Sequence, residues 1–498
     1  MGLWSIFGCS GSESDPNDMT EPPFDLDSEQ AFLDFVSPAY DRLKEVVNIT
    51  SLMGAQEITS DELCVPVRPA WYDGGHWKRL HRHEWTKGDP IMWRTWMDLY
   101  TGILECNRLM LDLKDLNNPM IDAYEAEVIG LRALYYLWLI DLYGNIPLYT
   151  DFSTDFKSLS NTSRPKVFEF IEAELQSTLQ SLPPQVDETI YGRIQFYVIK
   201  AIQAKLYVNA EVYTGTPQWQ KAIDACDEII NSGMYRLEND YFDNFITENS
   251  LSSEIIFSIP FDENIDESFN IHMASLHPEH QKTYNMTMSP WNGWCAIEEF
   301  YHSYEDGDRR KGSGEYPGNF LYGPQFSANG DSLLDAEHEP DDPDGAFVVL
   351  SPGITSIDSV LRQEGVRIGK YEVAPGSGLG LSNDFPVFRF ADILLMKAEA
   401  LMKLGSQNEA LALVNQVRFR ADLPPLTEIT ADILLEERGR ELFAEMHRRT
   451  DLIRFGKFGE AWWEKTASEA CRTLFPIPVS AGGGPVHAGP FVVQNPCY

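Results

Sequence analysis

Apolar residues recur every three or four positions along much of the chain, and the pattern is clearest near its C-terminal end. Ile393, Met396, Ala400 and Leu404 line one face of a helix. Gly405 stops that helix, because glycine takes the left-handed cap conformation at no steric cost. Ala410, Leu413 and Val417 mark a second helical face, closed by Pro424-Pro425. A third helix is predicted from Thr430, whose hydroxyl can cap the first free amides, through Glu445. Two antiparallel helices with small alanines between them form a tetratricopeptide-like hairpin, which must stack on others to bury its face.

The same spacing predicts helices over 30–47, 93–113, 124–143, 167–182, 195–213 and 219–231. A strand-like run, 254–261, leads away from them into 262–385, the least regular part of the chain. A second irregular stretch, 50–90, is rich in Gly, Pro, Trp and His. The expected fold is mostly α. It is a tetratricopeptide-like repeat scaffold of about four helix pairs, formed by helices in 93–231 and 386–455. A loop-rich insert, 262–385, carries short strands. No linker divides the chain, so 21–498 is expected to be one domain.

The polar residues of the C-terminal stretch alternate in sign, as in Arg389, Asp392, Glu399, Arg418, Glu437, Arg438, Glu441, Glu445, Arg449, Asp451 and Arg454. Such spacing suits solvated helix faces with i,i+4 pairs. Taken in order, it also spells R-x-A-D-x-L-L-x-x-A-E-A, then N-x-V-R-x-x-A, then E-R-x-R-E-L-x-x-E-x-x-R-x-x-D-L-I-R. The chain closes with FPIP over 475–478 and QNPCY over 494–498. These motifs resemble the signature of the SusD/RagB family of Bacteroidetes outer-membrane nutrient-binding lipoproteins. Cys497 stands where that family usually has glycine. An earlier piece, EAEVIGLRALYYLWLIDLYGNIPL, is similar to a second family signature, and its Arg132 reads as a structural ion-pair partner. Asp306, Asp308, Arg309 and Arg310 match the family's D-x-R motif and read as structural.

Composition narrows the function. The 39 basic and 76 acidic residues give a net charge of -37. A surface so acidic repels phosphate backbones, so no nucleic-acid partner is expected. It repels anionic headgroups equally, so membrane attachment needs an anchor. Ile6-Phe7-Gly8-Cys9 looks like the tail of a lipobox, with Cys9 as the lipidation site and the true signal starting upstream. The polar, acidic residues up to about 20 then form a flexible tether. Six further cysteines remain, and their spacing leaves any pairing open; Cys106 and Cys226, on apolar helix faces, read as buried thiols.

Two aromatic loops stand out. One holds Arg68, Trp71, Tyr72, Asp73 and Trp77; the other holds Tyr284, Trp291, Asn292 and Trp294. They lie far apart in the chain and meet only if the fold brings them together. Ring faces pack on the axial C–H groups of a pyranose while Asp, Asn and Arg bond its hydroxyls, so these nine are the expected ligand-binding residues. Catalytic signals are lacking: no G-x-S-x-G elbow and no H-E-x-x-H zinc helix occurs, and the many carboxylates form no distinctive pair. Glu298-Glu299, Asp341-Asp342 and Glu436-Glu437 read as helix-surface or loop charge. His81 and His83 sit two apart with no partner at helical spacing. No catalytic residue, no metal site and no cofactor is therefore expected, although the acidic loops over 331–344 offer oxygens of the kind calcium takes.

The resemblance implies a cell-surface lipoprotein on the outer membrane that binds a nutrient without catalysis. It also implies a SusC-like TonB-dependent barrel as partner, over which the protein sits as a lid. Loop aromatics favour an oligo- or polysaccharide; an oligopeptide is the alternative, and a glycan-degrading enzyme a more distant one.

Overall fold

A computed structural model of the chain describes residues 28–68, 71, 73–114, 120–186, 190–313, 316–335, 345–478 and 489–498. The expected signal remnant, Cys9 and the tether lie outside the described residues, as does Asp341-Asp342.

Helix α1 (Glu29–Val47) starts at Ser28, whose hydroxyl accepts from the Ala31 amide. α2 (Pro90–Leu113) opens on proline, which costs no helical hydrogen bond at that position. α3 (Ile121–Tyr143) is buried along most of its length and ends at Gly144, whose φ of 71° only glycine adopts freely. α2 and α3 approach closely because Gly102 lies on the Tyr135 ring, where a Cβ would come within 2.3 Å. Then follow α4 (Arg164–Thr178), α5 (Phe196–Val208), α6 (Trp219–Ser232), α7 (Phe390–Lys403), α8 (Gln407–Arg420) and α9 (Ala431–Leu442).

Packing runs in series: α1 on α2, α2 on α3, α3 on α4, then α5 on α6, α6 on α7 and α7 on α8. Each helix buries its apolar stripe against its neighbours, the behaviour of a tetratricopeptide-like stack. One core runs through the scaffold and the insert.

The strands are short and pair antiparallel. β1 (Leu63–Cys64) pairs with β3 (Cys295–Ala296), and β2 (Ile255–Ile259) with β8 (Phe385–Arg389). β4 (Phe320–Leu321) pairs with β7 (Arg367–Ile368), and β5 (Gly323–Pro324) with β6 (Val349–Leu350). The β1–β3 pair ties the 50–90 segment to the insert.

Three sequence expectations change. The third C-terminal helix is capped by Thr430 as expected but stops at Leu442, before positive φ angles at Ala444 and Met446. The 195–213 helix breaks at Asn209 into α5 and a single turn, Ala210–Thr214. The 50–90 stretch is not wholly irregular, since it holds the fully buried helix Leu52–Glu57 and the helix His76–His81.

A larger correction concerns the charges of the C-terminal stretch, which are not solvated. Arg389, Arg438, Glu437, Glu441, Glu399 and Asp451 are all buried. Arg389 grips Glu445 through two hydrogen bonds of 2.7 Å and also reaches Glu441 at 3.1 Å. Arg310 joins Asp308, Glu437 at 2.6 Å and Glu441 at 3.1 Å. Arg438 and Arg454 share Asp451, each at 2.7 Å, and Arg454 adds Glu399. The pairing of Glu437 with Arg310 and Arg440 removes it from the surface role expected of Glu436-Glu437, while Glu436 stays exposed. Burial raises the cost of charge, but the guanidiniums outweigh it and hold Glu437 and Glu441 down to about 2. Arg132 likewise pairs with Glu174 at 2.6 Å and donates to Asn107 at 2.7 Å.

Candidate functional site

The two aromatic loops do meet. Trp71 and Trp291 lie with ring centroids 5.8 Å apart, tilted by 57°, and Trp77 meets the edge of Trp294 at 5.6 Å. The second loop is pinned by its own backbone. The Trp291 amide donates to the Met273 carbonyl at 2.7 Å, and those of Gly293 and Trp294 to Ala274 at 2.7 and 2.8 Å. Asn292 turns the chain at φ 59°, a conformation asparagine tolerates better than most residues. Gly293 lets the Trp71 ring lie directly on the backbone, where a Cβ would come within 2.6 Å.

That turn sends the two tryptophans opposite ways. Trp291 is 36% exposed, whereas Trp294 is wholly buried and Trp77 is 2% exposed. Trp77 and Trp294 therefore back the platform from the core instead of offering a face to a ligand, which corrects the expectation for both. Trp71 is buried down to 9% and supports Trp291 from beneath. Tyr284 is half-buried at the end of the short helix His280–Tyr284. Tyr72 and the Asp73 side chain lie outside the described residues; the Asp73 backbone opens a short turn, Asp73–Gly75.

The polar neighbours are committed to the protein. Buried Arg68 donates to the carbonyls of Leu361 and Glu364 at 2.6 and 2.7 Å. Asn292 accepts from Arg367 at 2.7 Å and donates to the Arg362 carbonyl at 3.1 Å. Arg68 and Asn292 thus anchor the loops, a correction to their expected role on sugar hydroxyls. Burial, with the neighbouring Arg68 charge, pulls the Arg367 guanidinium below its ordinary value. Backbone oxygens of Arg362 and Glu364 offset that cost. Sequence reasoning missed Arg362 and Arg367, which lie in a stretch with no motif.

Among the described residues, an open groove of about 610 Å³ elsewhere is lined by Leu237, Asn239, Arg309, Asn415 and Phe419, with Phe419 83% exposed. Neither it nor the groove between α4, α5 and α6 contains any expected ligand-binding residue. His81 and His83 are buried and bonded to the Trp463 carbonyl and to Thr59 and Ser468; burial pushes His81 down to about 4. Of the acidic loop suggested for calcium, Asp331 is exposed and Asp335 is buried between His277 and Arg362, while 336–344 lie outside the described residues. The one metal-like cluster among the described residues, Glu469 with Cys471 and Cys497, is closed by a disulfide between the two cysteines.

The stacked helices and the loop-built aromatic surface together define a tetratricopeptide-like helical fold. Two family models match: the SusD family over 353–473, and "starch-binding associating with outer membrane" over 13–208. Together these matches support a SusD/RagB family member. The chain is 24% identical over 451 residues to the starch-binding protein SusD of Bacteroides thetaiotaomicron, covering 82% of this chain and 80% of that one. In fold it is similar to a SusD superfamily protein from Parabacteroides distasonis (TM-score 0.75, 22% identity, 95% of this chain and 100% of that one). It is also similar to surface glycan-binding protein A from Bacteroides thetaiotaomicron, solved with laminarihexaose (TM-score 0.70, 24% identity, 90% and 96%). By name, the first of these relatives binds starch and the last a glycan.

Proposed function

We propose that the protein captures an oligo- or polysaccharide at the outer face of the cell and delivers it to a SusC-like TonB-dependent outer-membrane transporter, without chemistry of its own. The observation that carries this reading is the convergence of the two aromatic loops on one exposed ring, Trp291, backed by Trp71, Trp77 and Trp294. A ring held this rigidly loses little freedom when a sugar stacks on it. By analogy with base stacking, such a contact supplies roughly 1–3 kcal/mol. The net charge of -37 disfavours anionic polysaccharides, so the preferred ligand is a neutral glycan. Trp291 is the central contact and Tyr284 a flanking one. Cys9 is the lipid anchor.

Affinity electrophoresis of the purified chain against neutral and anionic polysaccharides tests this, with supernatants assayed for released sugar. Retardation by a neutral glycan, without release and lost in Trp291→Ala, is the expected result. Release of sugar would overturn the non-catalytic reading. Retardation unchanged in Trp291→Ala would move the site elsewhere, with the groove beside Phe419 next to be tested.

A further inference from the structure

Cys64 and Cys295 face each other directly in the antiparallel β1–β3 pair, with their sulfurs 3.8 Å apart and both side chains wholly buried. We propose that these two cysteines form a disulfide in the mature protein and that it joins the two aromatic loops of the platform. Opposed residues in an antiparallel pair stand about 4.5–5.5 Å apart at Cα, inside the usual disulfide range of about 4.4–6.8 Å. Closing 3.8 Å to a bond of about 2.05 Å asks each sulfur to move by roughly 0.9 Å, a small side-chain rotation. Gly365 leaves the room for this, since a Cβ there would come within 2.6 Å of the Cys295 sulfur. Cys106 and Cys226 are also buried but meet no second sulfur among the described residues.

In the folded protein the surroundings distinguish the two sulfurs. Arg68 donates to the Cys295 sulfur at 3.6 Å, and Arg367 lies close by. Burial alone would push the Cys295 thiol up, but the Cys64 hydrogen bond and the two guanidiniums hold it down to about 6, while Cys64 is pushed well up. Before the strands are buried, the Cys295 thiolate attacks the disulfide of a protein disulfide donor of the cell envelope. One donor thiolate leaves and a mixed disulfide forms. Cys64 then loses its proton and attacks the Cys295 sulfur, displacing the second donor thiolate. The pair has given up two electrons and two protons, and the donor has become a dithiol. The bond spans 231 residues and fixes the strand leading to Trp71 beside the strand following Trp294.

This inference rests on the proposed placement outside the cytoplasm, where such bonds persist. The Cys471–Cys497 disulfide is the internal control for that placement. The full chain, exported to a periplasm, is denatured in iodoacetamide without reductant, digested with trypsin and measured by mass spectrometry. A cross-linked species of peptides 45–78 and 283–309 that separates on reduction is the expected result. Both peptides fully alkylated, with Cys471–Cys497 intact, would overturn the proposal while leaving the placement standing. Alkylation at all four cysteines would overturn both together.

Discussion

Buried arginines occur in two regions and are held in two different ways. In the C-terminal network each guanidinium meets carboxylates: Arg389 with Glu441 and Glu445, Arg438 with Asp451, and Arg454 with Glu399 and Asp451. At the aromatic platform Arg68 and Arg367 meet backbone carbonyls and the Asn292 amide. Both arrangements satisfy a charge taken out of water. They differ in what they demand of the sequence. An ion pair requires a particular acidic residue at a particular helix position, so it leaves a motif. A backbone carbonyl is supplied by any residue, so the anchor of the platform leaves none.

The sharpest way to break the first region is Glu441→Leu, which strips a counter-charge from Arg310, Arg389 and Arg420 at once. Removing one partner of a buried pair costs about 3–5 kcal/mol, expected as a lower denaturant midpoint. In the second region Trp294→Ala empties the support beneath the platform and should cost about 3–4 kcal/mol by the same measurement.

Acid titration next sharpens the first region from within, because two of its buried carboxylates, Glu437 and Glu57, shift in opposite directions. Glu437 has its folded pKa depressed from 4.5 to about 2, so its stabilisation is full above 4.5 and is lost as pH falls toward 2. The loss is on the order of 3 kcal/mol, at about 1.4 kcal/mol per pKa unit. Glu57 has the opposite sign. Burial pushes it up to about 8, so its contribution is present below 4.5 and declines as pH rises through 8. Glu57→Gln should flatten the alkaline limb of a stability–pH curve and leave the acid limb as it was; an unchanged alkaline limb would refute that assignment.

Trp291→Ala should weaken glycan binding by about 1–3 kcal/mol. It should cost less stability than Trp294→Ala, because Trp291 is 36% exposed while Trp294 is wholly buried. Calorimetry and thermal melting on one sample compare it with Trp294→Ala. If the two variants lose stability equally, the division between exposed platform and buried support fails. The smallest effect is expected at Thr430→Ala, about 1 kcal/mol, from loss of its hydrogen bond to the Ile433 amide at 3.2 Å.

Most of the scaffold was legible in the chain. The 3.6-residue period placed α1 to α9 within a few residues, and Thr430 and Gly405 marked helix ends correctly. The aromatic loops were legible as candidates but not as a site. Trp291 and Trp294 are three residues apart in one loop and identical in kind, and nothing local says which turns outward. The positive φ at Asn292 and the hydrogen bonds to Met273 and Ala274 make that choice.

The sequence by itself determined helical periodicity, the charged signature and the family resemblance, because these depend on spacing along the chain and on paired residue types. Tertiary structure alone decided that the signature is buried, that loops more than two hundred residues apart converge on Trp291, and that Cys64 meets Cys295. Burial and long-range contact are set by which surfaces pack together, and no local pattern encodes that choice.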